Sequence, residues 1–117
     1  MAQIEIPEAW RKEVCAILAT EDTGNRIRWS RDAEKRYQAA PGYPWHHEVY
    51  LPLRDFLSQP YPTGCAITME SPPGEAYEFF FPFKGYKFYG KILLRVGGKR
   101  VLIFSAHLPL KPKLSCE

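Results

Sequence analysis

The chain separates, by its pattern of apolar and polar positions, into a helical first half and a strand-rich second half. Pro7 and Glu8 open a stretch in which Trp10, Val14, Ile17 and Leu18 recur at helical spacing, which predicts a helix ending before Gly24. Arg26, Arg28 and Trp29 in NRIRWS predict a short extended piece. Ser30 then stands at the N-cap of a short helix over RDAEKRYQAA, with Pro41 and Gly42 as its stop. A further helix is expected from about Pro44 to Ser58, where Val49, Leu53, Phe56 and Leu57 share a face and Pro52 breaks or bends it.

From residue 64 the period changes to two. GCAITME has strand composition, SPPGE reads as a loop, and AYEFFFPF is a strand with Pro82 at its end. Tyr77, Phe79 and Phe81 lie on one face of it, and Glu78 and Phe80 on the other. YKFYGKILLRVGGKRVLIFSAHLP then predicts a hairpin turning at Gly97-Gly98, because glycine accepts the positive φ of primed turns. In that register Leu94 faces Val101, Ile92 faces Ile103, Gly90 faces Ser105 and Phe88 faces His107. The opposite face pairs Arg95 with Arg100, Leu93 with Leu102, Lys91 with Phe104 and Tyr89 with Ala106. The first set is the core face. The second mixes apolar residues with Lys87, Tyr89, Lys91, Arg95 and Arg100 and is left partly open. Helices followed by strands define an α+β domain over residues 1–117, with two or three amino-terminal helices packed on a three- to four-stranded antiparallel sheet.

Composition narrows the class. A chain of 117 residues that is 45% hydrophobic and 15% aromatic has the makings of one folded core. No apolar run approaches the roughly 20 residues needed to span a bilayer, and MAQIEIPEAW lacks a basic stretch followed by an apolar one. A soluble, cytoplasmic protein with no membrane partner is therefore expected. Cys15, Cys65 and Cys116 are odd in number and far apart, with no C-x-x-C pair, so free thiols are expected rather than a disulfide or a metal site. His46 and His47 are neighbours and do not converge on one metal from a helix. Phosphate-loop, dinucleotide-binding, H-E-x-x-H and G-x-S-x-G motifs are missing, and no cofactor is expected.

Charge changes the picture more. The net charge is +3, yet residues 79–116 hold Lys84, Lys87, Lys91, Arg95, Lys99, Arg100, Lys111 and Lys113 without one Asp or Glu. Residues 1–78 are net acidic. Such asymmetry points to a polyanion or an acidic protein as partner. Protection of strand edges accounts for Lys99 and Arg100, but less well for Lys87 and Lys91, which flank Tyr89 on one face. Lys84, Lys87, Arg95, Arg100 and Lys111 are the candidate nucleic-acid contacts.

Amino-terminal helices followed by a twisted sheet carrying Lys, Tyr, Arg and a late His, in YKFYGKILL and FSAH, form a layout similar to small bacterial toxins of the RelE and MqsR type. The resemblance covers mainly residues 65–114 and lies in element order and residue types. It implies an endoribonuclease that cuts messenger RNA without a metal and is neutralised by an antitoxin protein, here an acidic one. Lys91, His107, Glu78 and Tyr89 become candidate catalytic residues by type.

Metal-independent cleavage needs a base for the 2′-hydroxyl, an acid for the leaving 5′-oxygen, and cations for the phosphorane. Either of Glu78 and His107 suits the base and the other the acid. Lys91, Lys87 or Arg95 suits the phosphate, and Tyr89 suits stacking or positioning. His107 reaches that phosphate only if its strand twists or bulges there. Plainer roles stand beside these: a sheet-end His107 bonded to backbone, Glu78 paired with Lys91 or Lys87, and a face that binds nucleic acid or acidic protein without cutting, or that joins copies of the chain.

Overall fold

A computed structural model describes residues 3–20, 25–39, 46–68, 73–95 and 100–117. Strand β1 (Ile4–Glu5) leads through Pro7, whose fixed φ suits a helix entrance, into α1 (Glu8–Leu18). Trp10, Val14, Ile17 and Leu18 are buried along one side of α1, as their spacing predicts. Trp10 is anchored further by its indole N–H, which donates to the carbonyl of Glu75 at 2.8 Å. Strand β2 (Ile27–Trp29) precedes α2 (Arg31–Gln38), and the Ser30 hydroxyl accepts the Ala33 amide at 3.0 Å as the expected N-cap. Helix α3 (His46–Leu57) runs unbroken through Pro52. The Pro41-Gly42 stop and the side chains of His46 and His47 lie outside the described residues.

Four longer strands follow: β3 (Thr63–Ile67), β4 (Gly74–Phe83), β5 (Tyr86–Arg95) and β6 (Val101–His107). The class is α+β, with three helices, but the sheet has six strands in the order β1-β3-β4-β5-β6-β2 rather than three or four. Nor is it wholly antiparallel, because β2 runs parallel to β6, with Ile27 opposite Val101. The two added strands are two and three residues long, too short to show an alternating pattern. Their places come from long-range bonds: the Val101 amide donates to Arg26 at 2.8 Å and the Ser30 amide to Ile103 at 3.0 Å.

Aromatic residues at alternate positions of β4 and β5 fill one face of the sheet. Phe79, Phe81, Phe83 and Phe88 are buried with Ile92, Val101 and Ile103 against Trp10, Val14, Tyr37, Leu53 and Leu57 of the helices. Gly90 sits in this layer. A methyl group there would meet Phe79 Cε2 at 2.9 Å and Phe81 Cε1 at 3.1 Å, so the two rings occupy the space a side chain would need. Between β4 and β5 the chain reverses in two residues, Lys84 and Gly85, both with positive φ (52° and 78°), the mark of a primed hairpin turn. The Gly97-Gly98 turn lies outside the described residues. Leu94 does face Val101, and the Arg95 amide donates to Arg100 at 3.0 Å.

The hairpin register agrees with expectation only as far as Ile92. Leu94, Leu93 and Ile92 pair with Val101, Leu102 and Ile103, and then the register slips between Ile92 and Lys91. Phe104 is the extra residue. Beyond it Lys91 faces Ser105, Gly90 faces Ala106 and Tyr89 faces His107. The expected pairs Gly90–Ser105, Phe88–His107, Lys91–Phe104 and Tyr89–Ala106 are thereby corrected. One inserted residue exchanges the faces of everything beyond it.

The cysteine expectation is overturned as well. Cys65 of β3 and Cys116 form a disulfide with Cα atoms 5.7 Å apart, and among the described residues Cys15 is the free thiol. The 51 residues between the partners hid the pairing, because the closing segment 108–117 folds back over the sheet face opposite the helices. That face is not simply open.

Candidate functional site

Alternation along β4 puts Glu78 on the face opposite the phenylalanine core, with Cys65 of β3 across from it on one side and Lys91 of β5 on the other. Tyr89, two residues from Lys91, shares that face. The bulge at Phe104 adds Ser105 opposite Lys91 and His107 opposite Tyr89. Without the slip, His107 would have pointed into the Phe88 layer. Glu78, Tyr89, Lys91, Ser105 and His107 thus gather on one side of three neighbouring strands. The Tyr89 and His107 ring centroids are 5.5 Å apart.

Glu78 is nearly inaccessible, at 3% exposure, and its oxygens are occupied. Tyr89 donates its hydroxyl to Oε2, while Ser115 donates both its amide and its hydroxyl to Oε1. Burial alone would raise the carboxyl pKa. The Ser115 and Tyr89 hydroxyls, the Ser115 amide and the field of Lys91 outweigh it, so the net shift is downward and the group is held as a carboxylate. Burial first, then the bond to ionised Glu78, raises the pKa of Tyr89 and keeps its phenol protonated.

His107 is also buried, at 6% exposure, and its Nδ1 lies 2.7 Å from the Leu108 carbonyl. A carbonyl only accepts, so Nδ1 carries the proton and Nε2 is the nitrogen left for other chemistry. This is the backbone-bonded sheet-end histidine expected as the plainer role. The bond also orients the ring.

A cleft of about 710 Å³ opens beside these groups, lined by Tyr89, Ser105 and His107 from the sheet, Asp32 and Arg36 from α2, and Lys111, Lys113 and Glu117 from the closing segment. Arg36 also holds Asp32 at 3.3 Å one helical turn away. Arg36, Ser105, Lys113 and Ser115 were not singled out from the sequence as site residues. Arg36 has Asp32 and Glu34 close by in sequence, the ordinary composition of a solvated helix face, and no local pattern places Ser115 near Glu78.

The predicted basic residues do not form one cluster. Lys84 stands in the β4–β5 turn with Nζ 3.2 Å from Glu48 of α3. Lys87 lies 4.3 Å over the Phe80 ring, and Lys91 is 6.0 Å from that of Phe104. Lys111 is exposed on the cleft rim. Arg95 and Arg100 are exposed at the other end of the hairpin, roughly 20 Å from Tyr89 at strand rise. Among the described residues no group of three or more His, Cys, Asp or Glu side chains could hold a metal ion. No helix among them is long and apolar enough to cross a membrane. The chain matches no protein-family model, no curated protein and no solved structure.

Proposed function

We propose that this protein binds RNA over the sheet face opposite its helices and cleaves it there without a metal, as a cytoplasmic toxin held in check by an acidic antitoxin. The supporting observation is the bulge at Phe104, which brings His107 and Ser105 onto the face of Glu78, Tyr89 and Lys91. In this reading a phosphate sits between Lys91 and His107, which are diagonal cross-strand neighbours, about 7–8 Å apart. Arg36, Lys111 and Lys113 guide the strand into the cleft.

Glu78, held as a carboxylate, takes the proton of the 2′-hydroxyl as that oxygen attacks phosphorus. His107, oriented through Nδ1 and entering as the imidazolium, gives its Nε2 proton to the departing 5′-oxygen and is left as the neutral Nδ1–H ring, and Lys91 stabilises the phosphorane. The products are a 2′,3′-cyclic phosphate and a 5′-hydroxyl. Glu78 can act only after Ser115 has left it. The resemblance of the sequence to RelE and MqsR toxins, in element order and residue types, is in keeping with this assignment.

A second reading is favoured by that same occupied carboxylate. With Ser115 in place the Glu78 carboxylate cannot take a proton, and a face of cations, a phenol and an imidazole suits a module that holds nucleic acid or an acidic protein without cutting it. Incubation of the reduced protein with RNA in a chelator separates the two. Fragments ending in cyclic phosphate support the ribonuclease, and intact RNA that stays bound leaves the binding module.

A further inference from the structure

Glu78 is covered by a short piece of chain with a covalent tie beside it. Ser115, which makes two of the three hydrogen bonds to the carboxylate, lies between Leu114, 3% exposed, and Cys116 in its disulfide. Cys65, at the other end of that disulfide, is the residue directly across from Glu78 on β3. Residues 110–113 stand exposed on the cleft rim, and Ser115 is exposed too, held by its bonds to Glu78. The grip of the closing segment therefore lies in its last four residues, Leu114, Ser115, Cys116 and Glu117, the last through Gln3.

We infer that the Cys65–Cys116 disulfide is a redox latch: its reduction releases the strap of residues 108–117 and uncovers Glu78. Its functional meaning rests on the reading of Glu78 as the base. With the tether cut, the entropy lost in ordering the strap is opposed by one buried leucine, the bonds to Glu78 and the bond between Glu117 and Gln3. In a reducing cytoplasm, where disulfides are characteristically transient, the open form would prevail and oxidation would close it.

The chemistry is thiol–disulfide exchange with a dithiol reductant. Cys65 is 1% exposed, whereas Cys116 is only partly buried, so the reductant thiolate attacks the Cys116 sulfur. The S–S bond breaks and its electron pair leaves on Cys65, which takes a proton. The second thiol of the reductant then resolves the mixed disulfide, releasing the Cys116 thiol and an oxidised dithiol. Two electrons and two protons pass to the protein.

The test is amide hydrogen exchange on the full chain, oxidised and then reduced with dithiothreitol. Reduction should speed exchange of the Ser115 amide by at least about tenfold, the value of one hydrogen bond to a charged group, while the central amides of β4 and β5 keep their protection. Cys116→Ala should do the same without reductant. Unchanged Ser115 protection in both the reduced protein and this variant overturns the latch. RNA cleavage is read in parallel. Reduced protein with a freed Ser115 that cuts no RNA leaves the latch standing and removes the ribonuclease reading. Equal cutting by oxidised and reduced protein overturns the masking of Glu78.

Discussion

Tyr89 donates its phenolic hydroxyl to the Glu78 carboxylate one strand away, and Lys91 faces the same glutamate across the ladder. This buried carboxylate makes stability depend on acid. Its folded pKa lies below the ordinary 4.5, because the Ser115 and Tyr89 bonds and the Lys91 field outweigh burial. A group depressed by folding contributes stability that is fully present above its unfolded value and is lost as pH falls through the folded one. Melting temperatures of wild type and Glu78→Gln should therefore differ most near neutrality and converge below about pH 4.5. A gap that stays constant down to pH 3 would count against the charged form of Glu78.

Lys91→Ala should lower RNA cleavage by about 10²- to 10³-fold, the usual cost of removing a group that stabilises a developing oxyanion. RNA affinity should change little, because one surface lysine is a small part of a charged footprint. His107→Gln should slow cleavage comparably. Single-turnover rates and binding isotherms on the same preparations separate the two effects.

Affinity for RNA should fall steeply with salt, since neutralised phosphates release counterions. Lys111→Ala and Lys113→Ala should each lower the slope of log affinity against log salt by about one, if each side chain meets a phosphate. Lys84→Ala should leave the slope unchanged, because that ammonium is engaged by Glu48.

Gly90→Ala should destabilise the fold by about 1–3 kcal/mol, as overpacking does. The added methyl would stand 2.9 Å from the Phe79 ring in the buried layer. Urea denaturation gives the value directly. An unchanged midpoint would show that the rings can move aside.

Thiol titration of unfolded, non-reduced protein should find one free thiol, Cys15, and three after reduction. Closing a loop of 51 residues is worth about 4 kcal/mol in the chain-entropy account, so the reduced protein should denature at distinctly lower urea. Burial raises the pKa of the Cys15 thiol, so it should alkylate more slowly than a free thiol at pH 8.

Local pattern alone determined the helices at Glu8–Leu18 and Arg31–Gln38, the strands around Glu78 and Lys91, and the core pairs Ile92–Ile103 and Leu94–Val101. Those features rest on side-chain period and capping, which act over a few residues and can be read in order. Residue types also singled out Glu78, Tyr89, Lys91 and His107, which the fold brings to one face. Tertiary structure decided the rest. Whether His107 stands beside Tyr89 or beside Phe88 depends on one inserted residue at Phe104, and no periodicity announces which strand will absorb it. The partner of Cys65, the donor pair on Glu78, and the approach of Arg36 to the cleft are contacts between segments far apart in the chain. They exist because the closing segment folds back over the second face of the sheet. Only the balance of buried apolar surface against chain entropy across the whole molecule sets that path.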